Sequence, residues 1–196
     1  MKKLLLIFLL IVPACAPWTI AGGPYKSLSH NFCVDIPQGW MMLDTDHYLL
    51  ISGDGPFLQY VLIQDRHIDK SFRHTKKKIN RSMLPQEAAE VVLDEIISDQ
   101  SVLNLEIIEN IPTIIDQHDG FRVLFTYKNK DGLELKTVYY GFLAGERFYN
   151  MRYTAVKRYY FEKDIEAFNK VLDSFKLIEH KEKPPAVMVS KGISFK

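Results

Sequence analysis

Two long runs of alternating aromatic and β-branched residues, followed by one amphipathic helix, dominate the hydrophobic pattern of the chain. The runs Leu135–Leu143 and Phe148–Val156 bracket a polar turn at 144–147, which predicts a β-hairpin. Apolar residues then recur at steps of four and three, which predicts one stripe on a helix over Tyr160–Ser174. The stripe consists of Phe161, Ile165, Phe168, Leu172 and Phe175. An apolar stripe of this kind is buried when the helix packs against a β-sheet, so we expect this helix to cover the sheet.

Strand and turn signals alternate along most of the remaining chain. A first strand, Phe32–Ile36, is expected to stop at a turn over 37–40, and a further helix is expected over Gln86–Gln100. The other predicted strands are Tyr48–Ile51, Phe57–Ile63, Leu105–Glu109, Ile111–Ile115 and Phe121–Tyr127. The connections between strands are too short for parallel crossovers. We therefore predict an α+β fold, an α/β/α sandwich with a mainly antiparallel sheet of about six or seven strands and helices packed on both faces.

The amino terminus has the pattern of an export signal. Two lysines precede the apolar run Leu4–Val12, which is too short to span a bilayer as a mature helix. The string Val12-Pro13-Ala14-Cys15 resembles the bacterial lipobox, although Pro13 departs from its usual pattern. In lipoproteins with that motif the cysteine becomes the lipidated first residue, so we expect Cys15 to carry lipid. The alternatives are soluble secretion, with cleavage after Ala21, and an uncleaved anchor.

These signals divide the chain into four parts. We expect a signal peptide over 1–15, a flexible tether over 16–29, one globular domain over 30–180 and a loose tail over 181–196. A lipidated Cys15 would place the domain at the bacterial cell envelope. Ala16 occupies the position where an aspartate marks inner-membrane retention in enterobacterial lipoproteins, which favours the outer membrane in a Gram-negative host.

Composition narrows the classes of partner. The formal net charge is +1, from 25 basic and 24 acidic side chains, so bulk electrostatics do not favour nucleic acid. With Cys15 lipidated, Cys33 has no partner, and we expect no disulfide framework. We predict a membrane contact through the lipid anchor, an envelope protein as partner, no nucleic acid and no cofactor.

The largest local excess of charge lies between Asp65 and Pro85. Basic and histidine side chains collect there, among them Arg66, His67, Arg73, His74, Lys76, Lys77, Lys78 and Arg81. One interpretation is a solvated, mobile loop. The other is a surface that contacts anionic lipid head groups or an acidic partner, with Lys76, Lys77, Lys78 and Arg81 as the contact residues.

No catalytic or metal-binding motif is present in the sequence. The histidines show neither H-x-H nor H-E-x-x-H spacing, and G-x-S-x-G and Walker patterns are absent. His30 and Cys33 would point to opposite faces of a strand, so a nucleophile–base pair there is disfavoured. The carboxylate pairs Asp94-Glu95 and Glu162 with Asp164 fall on the polar faces of the two predicted helices. We therefore predict no catalytic and no metal-ligating residues.

Several local strings resemble the PsbP-like superfamily, including its bacterial DcrB-type envelope lipoproteins. The strings are Phe32-x-Val34-x-Ile36-Pro37-x-Gly39-Trp40, Tyr140-Gly141-Phe142 with Tyr149-x-Met151-x-Tyr153, and Phe168 with Ser174-Phe175. The resemblance implies an antiparallel sheet with helices on both sides, used mainly for protein docking. The matched positions are structural, so no partner-binding or metal-binding residue is carried over.

Together these patterns predict a non-catalytic binding or scaffolding domain that docks on envelope proteins or on the membrane surface. The alternative is a secreted small-molecule hydrolase whose site is not visible in the sequence.

Overall fold

The computed structural model describes residues 18–178. The predicted signal peptide, Cys15 and the predicted tail over 181–196 lie outside the described residues.

Nine strands and two helices form within residues 18–178. The strands are β1 (Thr19–Ser27), β2 (Phe32–Asp44), β3 (Leu49–Ser52), β4 (Gln59–His67), β5 (Leu103–Ile115), β6 (His118–Lys128), β7 (Glu134–Ala144), β8 (Arg147–Val156) and β9 (Lys176–Leu177). The helices are α1 (Pro85–Ile97) and α2 (Tyr160–Ser174). The predicted bounds of α2 agree with the structure, whereas α1 ends before Gln100.

All strands belong to one antiparallel sheet. Its order is β1-β2-β3-β4-β8-β7-β6-β5, and β9 pairs with the start of β2. Every recorded strand pair is antiparallel, as predicted. The expected number of about six or seven strands is wrong, because the sheet has nine. The pairing of β4 with β8 joins its two halves at the centre.

The sheet is larger than expected because two turn signals lie inside strands. β2 does not stop at Pro37 but continues to Asp44, and Pro37, Gln38 and Gly39 form a bulge opposite Gly22. Gly39 has a φ of 78°, which suits glycine, and the Gln38 side chain fills the space where a Cβ of Gly22 would lie. Residues 19–27, predicted to belong to a flexible tether, form β1 against β2 instead. The tether prediction is therefore wrong for these residues.

The two helices cover opposite faces of the sheet. Along β8, Tyr149, Met151 and Tyr153 belong to the core beneath α2, while Phe148 belongs to the core beneath α1. Side chains of a strand alternate between its faces, so the two cores lie on the two sides. α2 packs on β2, β4 and β8, whereas α1 packs on β5, β6 and β7. The central strands therefore have little contact with water on either face.

The basic segment between β4 and α1 is anchored to the α1 face. Phe72 and Ile79 are only 8% and 3% exposed and belong to the core beneath α1. Glu95 of α1 accepts hydrogen bonds from the backbone N–H groups of His74, at 2.8 Å, and Thr75, at 2.9 Å. It also accepts one from the Thr75 hydroxyl at 3.0 Å. The expectation of a solvated, mobile loop is wrong for these positions.

A buried ionic group fixes the end of β4 on the opposite face. The carboxylate of Asp65 bonds to His30 Nδ1 at 2.7 Å and to the Arg147 guanidinium. His30 Nε2 lies 2.8 Å from the carbonyl oxygen of Thr45, so the ring connects the Asp65 carboxylate to the backbone at Thr45. Because Arg66 follows Asp65 in the strand, this group also helps to fix where Arg66 lies on the α1 face.

We predict that Phe168→Ala lowers the free energy of unfolding by about 3 to 5 kcal/mol. Phe168 is 0% exposed, and its ring lies 5.5 Å from that of Tyr153 and 6.0 Å from that of Tyr140. Urea denaturation measures the change. The control Phe57→Ala removes a side chain that is 90% exposed and should change stability by less than about 0.5 kcal/mol. A loss below about 1 kcal/mol for Phe168→Ala would contradict the packing of α2.

We also predict that Glu95→Gln weakens the attachment of the basic segment, by about 1 kcal/mol at pH 7. Burial acts to raise the pKa of Glu95, but the hydrogen bonds from Thr75 and His74 outweigh it and lower the pKa below 4.5. A lowered pKa means that the carboxylate contributes stability above pH 4.5 and loses it as the pH falls through the folded-state value.

The measurement is urea denaturation of wild type and variant at pH 7 and at several values below 4.5. The difference in unfolding free energy should shrink as the pH falls. Glu90→Gln, at an exposed position of the same helix, is the matched control. A difference between wild type and Glu95→Gln that grows at low pH would show that Glu95 is not the attachment.

Candidate functional site

A cavity of about 470 Å³ lies between α1, the basic segment and the sheet, and is called here the helix–sheet cavity. Its floor is the α1 face of the central strands. Tyr60 and Gln64 of β4 lie beside Thr154 and Asn150 of β8, with which they pair in register. Arg152 lies between the two β8 residues on the same face. The floor is therefore polar at the centre of the sheet.

The roof and one wall are apolar. Val92 and Ile96 of α1 lie above the floor, and Phe72 of the basic segment and Phe125 of β6 close the sides. Val92, Phe72 and Phe125 also belong to the core beneath α1, which holds them in place. A ligand in this cavity would contact apolar side chains above and polar ones below.

Arg152 is the main charged group of the floor, where its side chain is half-buried. Its Nε is buried without a hydrogen-bond partner, and no ion pair of Arg152 forms within residues 18–178. The guanidinium carbon lies 5.9 Å from the centre of the Tyr60 ring. Tyr60 raises the pKa of Arg152, against the lowering effect of burial, so the group stays charged. A buried N–H group without an acceptor costs free energy, so the Nε–H of Arg152 is the most unusual feature of the site.

Two tyrosines beside Arg152 remain protonated over the physiological pH range. Burial raises the pKa of Tyr139 and raises that of Tyr127 to about 12. Both side chains line the helix–sheet cavity. They therefore offer neutral hydroxyl groups and ring surface, and they cannot neutralise the guanidinium.

The mouth of the cavity carries further charges of both signs. Arg66 donates to the carbonyl oxygens of Lys70 and Ser71 at 2.8 Å each, and its guanidinium carbon lies 4.0 Å from the centre of the Phe72 ring. Asp99 accepts hydrogen bonds from the Ser101 N–H and hydroxyl, which lower its pKa. Both carboxylates near the cavity thus already accept hydrogen bonds within the protein. Asp99 accepts them from Ser101, and Glu95 accepts them from the basic segment.

The cationic residues predicted to form a contact surface are largely engaged within the protein. Lys77 pairs with Asp94, Arg81 pairs with Glu146, and Lys76 Nζ donates to the carbonyl oxygen of Arg73 at 2.7 Å. Lys78 is exposed. Cys15, the predicted lipidation site, lies outside the described residues.

The structure directs Cys33 and His30 to different partners. Cys33 Sγ donates to the carbonyl oxygen of Lys176 at 3.6 Å, whereas the His30 ring is buried against Asp65 and Thr45. Asp94 and Glu95, which the sequence places on the polar face of α1, bind Lys77 and the backbone of the basic segment. Within residues 18–178, no three His, Cys, Asp or Glu side chains converge as a metal site would require.

Sequence reasoning missed Arg152 and the cavity around it. One signal was present, because Asn150, Arg152 and Thr154 place three polar side chains on one face of a strand rich in aromatic residues. That face can be identified as part of a binding site only once β8 is known to lie at the centre of the sheet beneath α1 and the basic segment. None of the helices in the described part of the chain is long and apolar enough to cross a membrane.

Comparison with known proteins gives likeness of structure but not of sequence. No family model matches the chain, and no curated protein matches it. Cyanobacterial PsbP (CyanoP) from Synechocystis sp. PCC 6803 superposes with a TM-score of 0.56 at 11% identity, over 84% of this chain and 95% of that protein. The Saccharomyces cerevisiae Ran-binding protein Mog1p gives 0.55 at 8% identity, over 82% and 97%.

A third similar structure comes from the bacterial envelope. LpqN of Mycobacterium tuberculosis, described as involved in cell envelope biogenesis, superposes with a TM-score of 0.51 at 10% identity. The match covers 80% of this chain and 84% of LpqN. At these identities the likeness establishes the fold and leaves the binding chemistry to the residues themselves. The described part of the chain is a domain with the PsbP-like fold.

Proposed function

We propose that this protein is a non-catalytic binding domain of the bacterial cell envelope, and that it holds a small amphipathic molecule in the helix–sheet cavity. The observation that carries the proposal is the cavity itself. Its volume of about 470 Å³ lies in the range of small-ligand sites, and its apolar roof faces a polar floor.

The residues around the cavity support binding rather than hydrolysis. Among the described residues no serine or cysteine lines it, and the hydroxyl oxygens of Thr137 and Thr154 lie 2.9 Å apart and bond to each other. His74 at the mouth lies 3.8 Å from Asp99, whose carboxylate already accepts bonds from Ser101. A general base needs a nucleophile within hydrogen-bond reach, and none of these groups supplies that pair. The alternative of a small-molecule hydrolase gains no support from this geometry.

The proposed location of the protein in the cell is inferred from its amino-terminal sequence. A lipid on Cys15 would hold the domain at the envelope, where LpqN, a protein of the same fold, is involved in biogenesis. The chain from Cys15 to Thr19 is then a short connection, because β1 begins at Thr19. The domain would therefore stay close to the lipid surface.

The basic segment is proposed as a secondary contact with anionic head groups or with an acidic envelope partner. Few of its basic side chains are free to bind a partner, since Lys77 and Arg81 form ion pairs with Asp94 and Glu146. Lys76 and Lys78 remain exposed at the surface. Such a contact would orient the domain, whereas the helix–sheet cavity would hold the ligand.

We predict that Cys15→Ser releases the domain from the membrane fraction. The cysteine thiol is the acceptor of the lipid, and serine keeps the size of the side chain without that chemistry. Mass spectrometry of the wild-type protein extracted from membranes should show acylated Cys15 as the first residue. Cys33→Ser is the matched control and should stay in the membrane fraction. A wild-type mature protein that begins at Gly22 would contradict lipidation.

We predict that the neutral fluorescent probe N-phenyl-1-naphthylamine binds in the helix–sheet cavity and that Ile96→Trp weakens its binding at least tenfold. Ile96 lines the cavity, so the larger indole occupies ligand space. Probe fluorescence rises on transfer from water to an apolar site and measures binding directly. Ile97→Trp is the matched control, because Ile97 is the next residue of α1 and is 56% exposed.

Circular dichroism and urea denaturation establish that both tryptophan variants are folded. Equal probe binding by wild type and folded Ile96→Trp would place the probe elsewhere and contradict the cavity as the binding site. Absence of probe binding to the wild-type protein would contradict the proposal itself.

A further inference from the structure

We propose that the ligand of the helix–sheet cavity is a carboxylate monoanion with a short apolar tail, and that Arg152 binds its carboxylate. The inference rests on the proposed function, since it names the chemical class of the molecule held in that cavity. It follows from the floor of the cavity, where the Nε–H group of Arg152 is buried without an acceptor.

The first step concerns the charge of the ligand. Arg152 Nε is buried and has no hydrogen-bond partner. The nearby carboxylates are committed, because Glu95 binds the backbone of His74 and Thr75 and Asp99 binds Ser101. An anion in the cavity would supply the missing acceptor and would place a negative charge directly beside the guanidinium. A neutral ligand would leave the guanidinium unpaired in a site from which it had also displaced water.

The second step concerns the head group. A guanidinium presents parallel N–H groups that match the two oxygens of a carboxylate. Arg66, at the mouth of the cavity, already donates to the carbonyl oxygens of Lys70 and Ser71 and lies over Phe72. The buried tyrosines Tyr127 and Tyr139 are neutral. Arg152 carries the unpaired N–H group of the floor, so one carboxylate monoanion matches it, whereas a phosphate dianion would bring a second charge that the floor does not balance.

The third step concerns the body of the ligand. With its carboxylate on the floor, the remainder would lie between Val92, Ile96, Phe72 and Phe125. These side chains offer carbon surface without charge, which favours an apolar tail. The volume of about 470 Å³ limits the tail to a short one.

The test is displacement of N-phenyl-1-naphthylamine from the full mature protein at pH 7. The competitors are octanoate, octanol and octyl phosphate, which share one tail and differ in the head group. Acetate supplies the same charge without the tail. Octanoate is expected to displace the probe best, followed by octyl phosphate and octanol, and acetate is expected to displace none.

Arg152→Met is the decisive variant, because methionine keeps an unbranched apolar side chain and removes the charge. Octanoate should bind it at least tenfold more weakly than wild type, a change of about 1.4 kcal/mol. Octanol should bind both proteins equally. Arg152→Lys should retain part of the octanoate affinity, since the charge remains but the paired N–H geometry is lost. Arg158→Met removes an exposed arginine that does not line this cavity and is the matched control, so its octanoate affinity should change less than threefold.

Melting temperature distinguishes a ligand-binding role from a structural one. Arg152 has no recorded hydrogen bond or ion pair within residues 18–178, so Arg152→Met should melt at the wild-type temperature or above. Octanoate should raise the melting temperature of wild type and not that of Arg152→Met. A lower melting temperature for the methionine variant, with unchanged octanoate affinity, would make Arg152 structural and overturn the inference.

The remaining outcomes separate the inference from the proposed function. Equal displacement by octanol and octanoate would overturn the anionic ligand. Stronger binding of octyl phosphate would overturn the carboxylate and indicate a phosphate head group. If the probe binds in an Ile96-dependent way and octanoate does not displace it, only this inference fails. If the probe does not bind wild type at all, the proposed function fails with it.

Discussion

A charge that is removed from water needs a counter-charge, and this requirement governs the centre of the structure. β4 and β8 lie in the middle of a nine-stranded sheet. A hydrophobic core packs against the sheet on each of its two faces. On the α2 face the requirement is met within the protein, because Asp65 binds both His30 and Arg147. On the α1 face Arg152 has no such partner. The charged group on the α2 face is thus paired within the protein, and we propose that a ligand pairs the one on the α1 face.

The spacing of apolar residues correctly predicted α2 and the β7–β8 hairpin, whose formation depends on neighbouring residues in the sequence. The bounds of α2 and the β7–β8 hairpin follow from apolar spacing and from the turn, where Gly145 adopts a φ of 57°. β1 and the length of β2 were missed because Gly22, Pro37 and Gly39 are turn signals that here serve a bulge. The meaning of such residues depends on the strand opposite them, and a single sequence does not specify that strand.

The candidate site was missed for a related reason. Arg152 lies in a run of aromatic residues, and its polar neighbours Asn150 and Thr154 form a stripe that also suits a solvated face. Only the placement of β8 beside β4, with α1 and the basic segment over the α1 face, turns that stripe into the floor of a cavity. For the basic segment the prediction failed in the opposite direction, because it expected more exposure than the structure shows. Its charges suggested an open surface, but Phe72 and Glu95 attach it to the protein.

The most direct test of the account follows the Nε–H of Arg152 itself. In an NMR titration of the ¹⁵N-labelled protein with octanoate, this resonance should shift in proportion to occupancy and exchange with water more slowly once bound. Arg73, at the cavity mouth, provides the internal reference. Slower exchange at Arg152 alone would show that a carboxylate supplies the partner that the fold omits. An Arg152 Nε–H that is unchanged while octanoate saturates the protein would contradict the account.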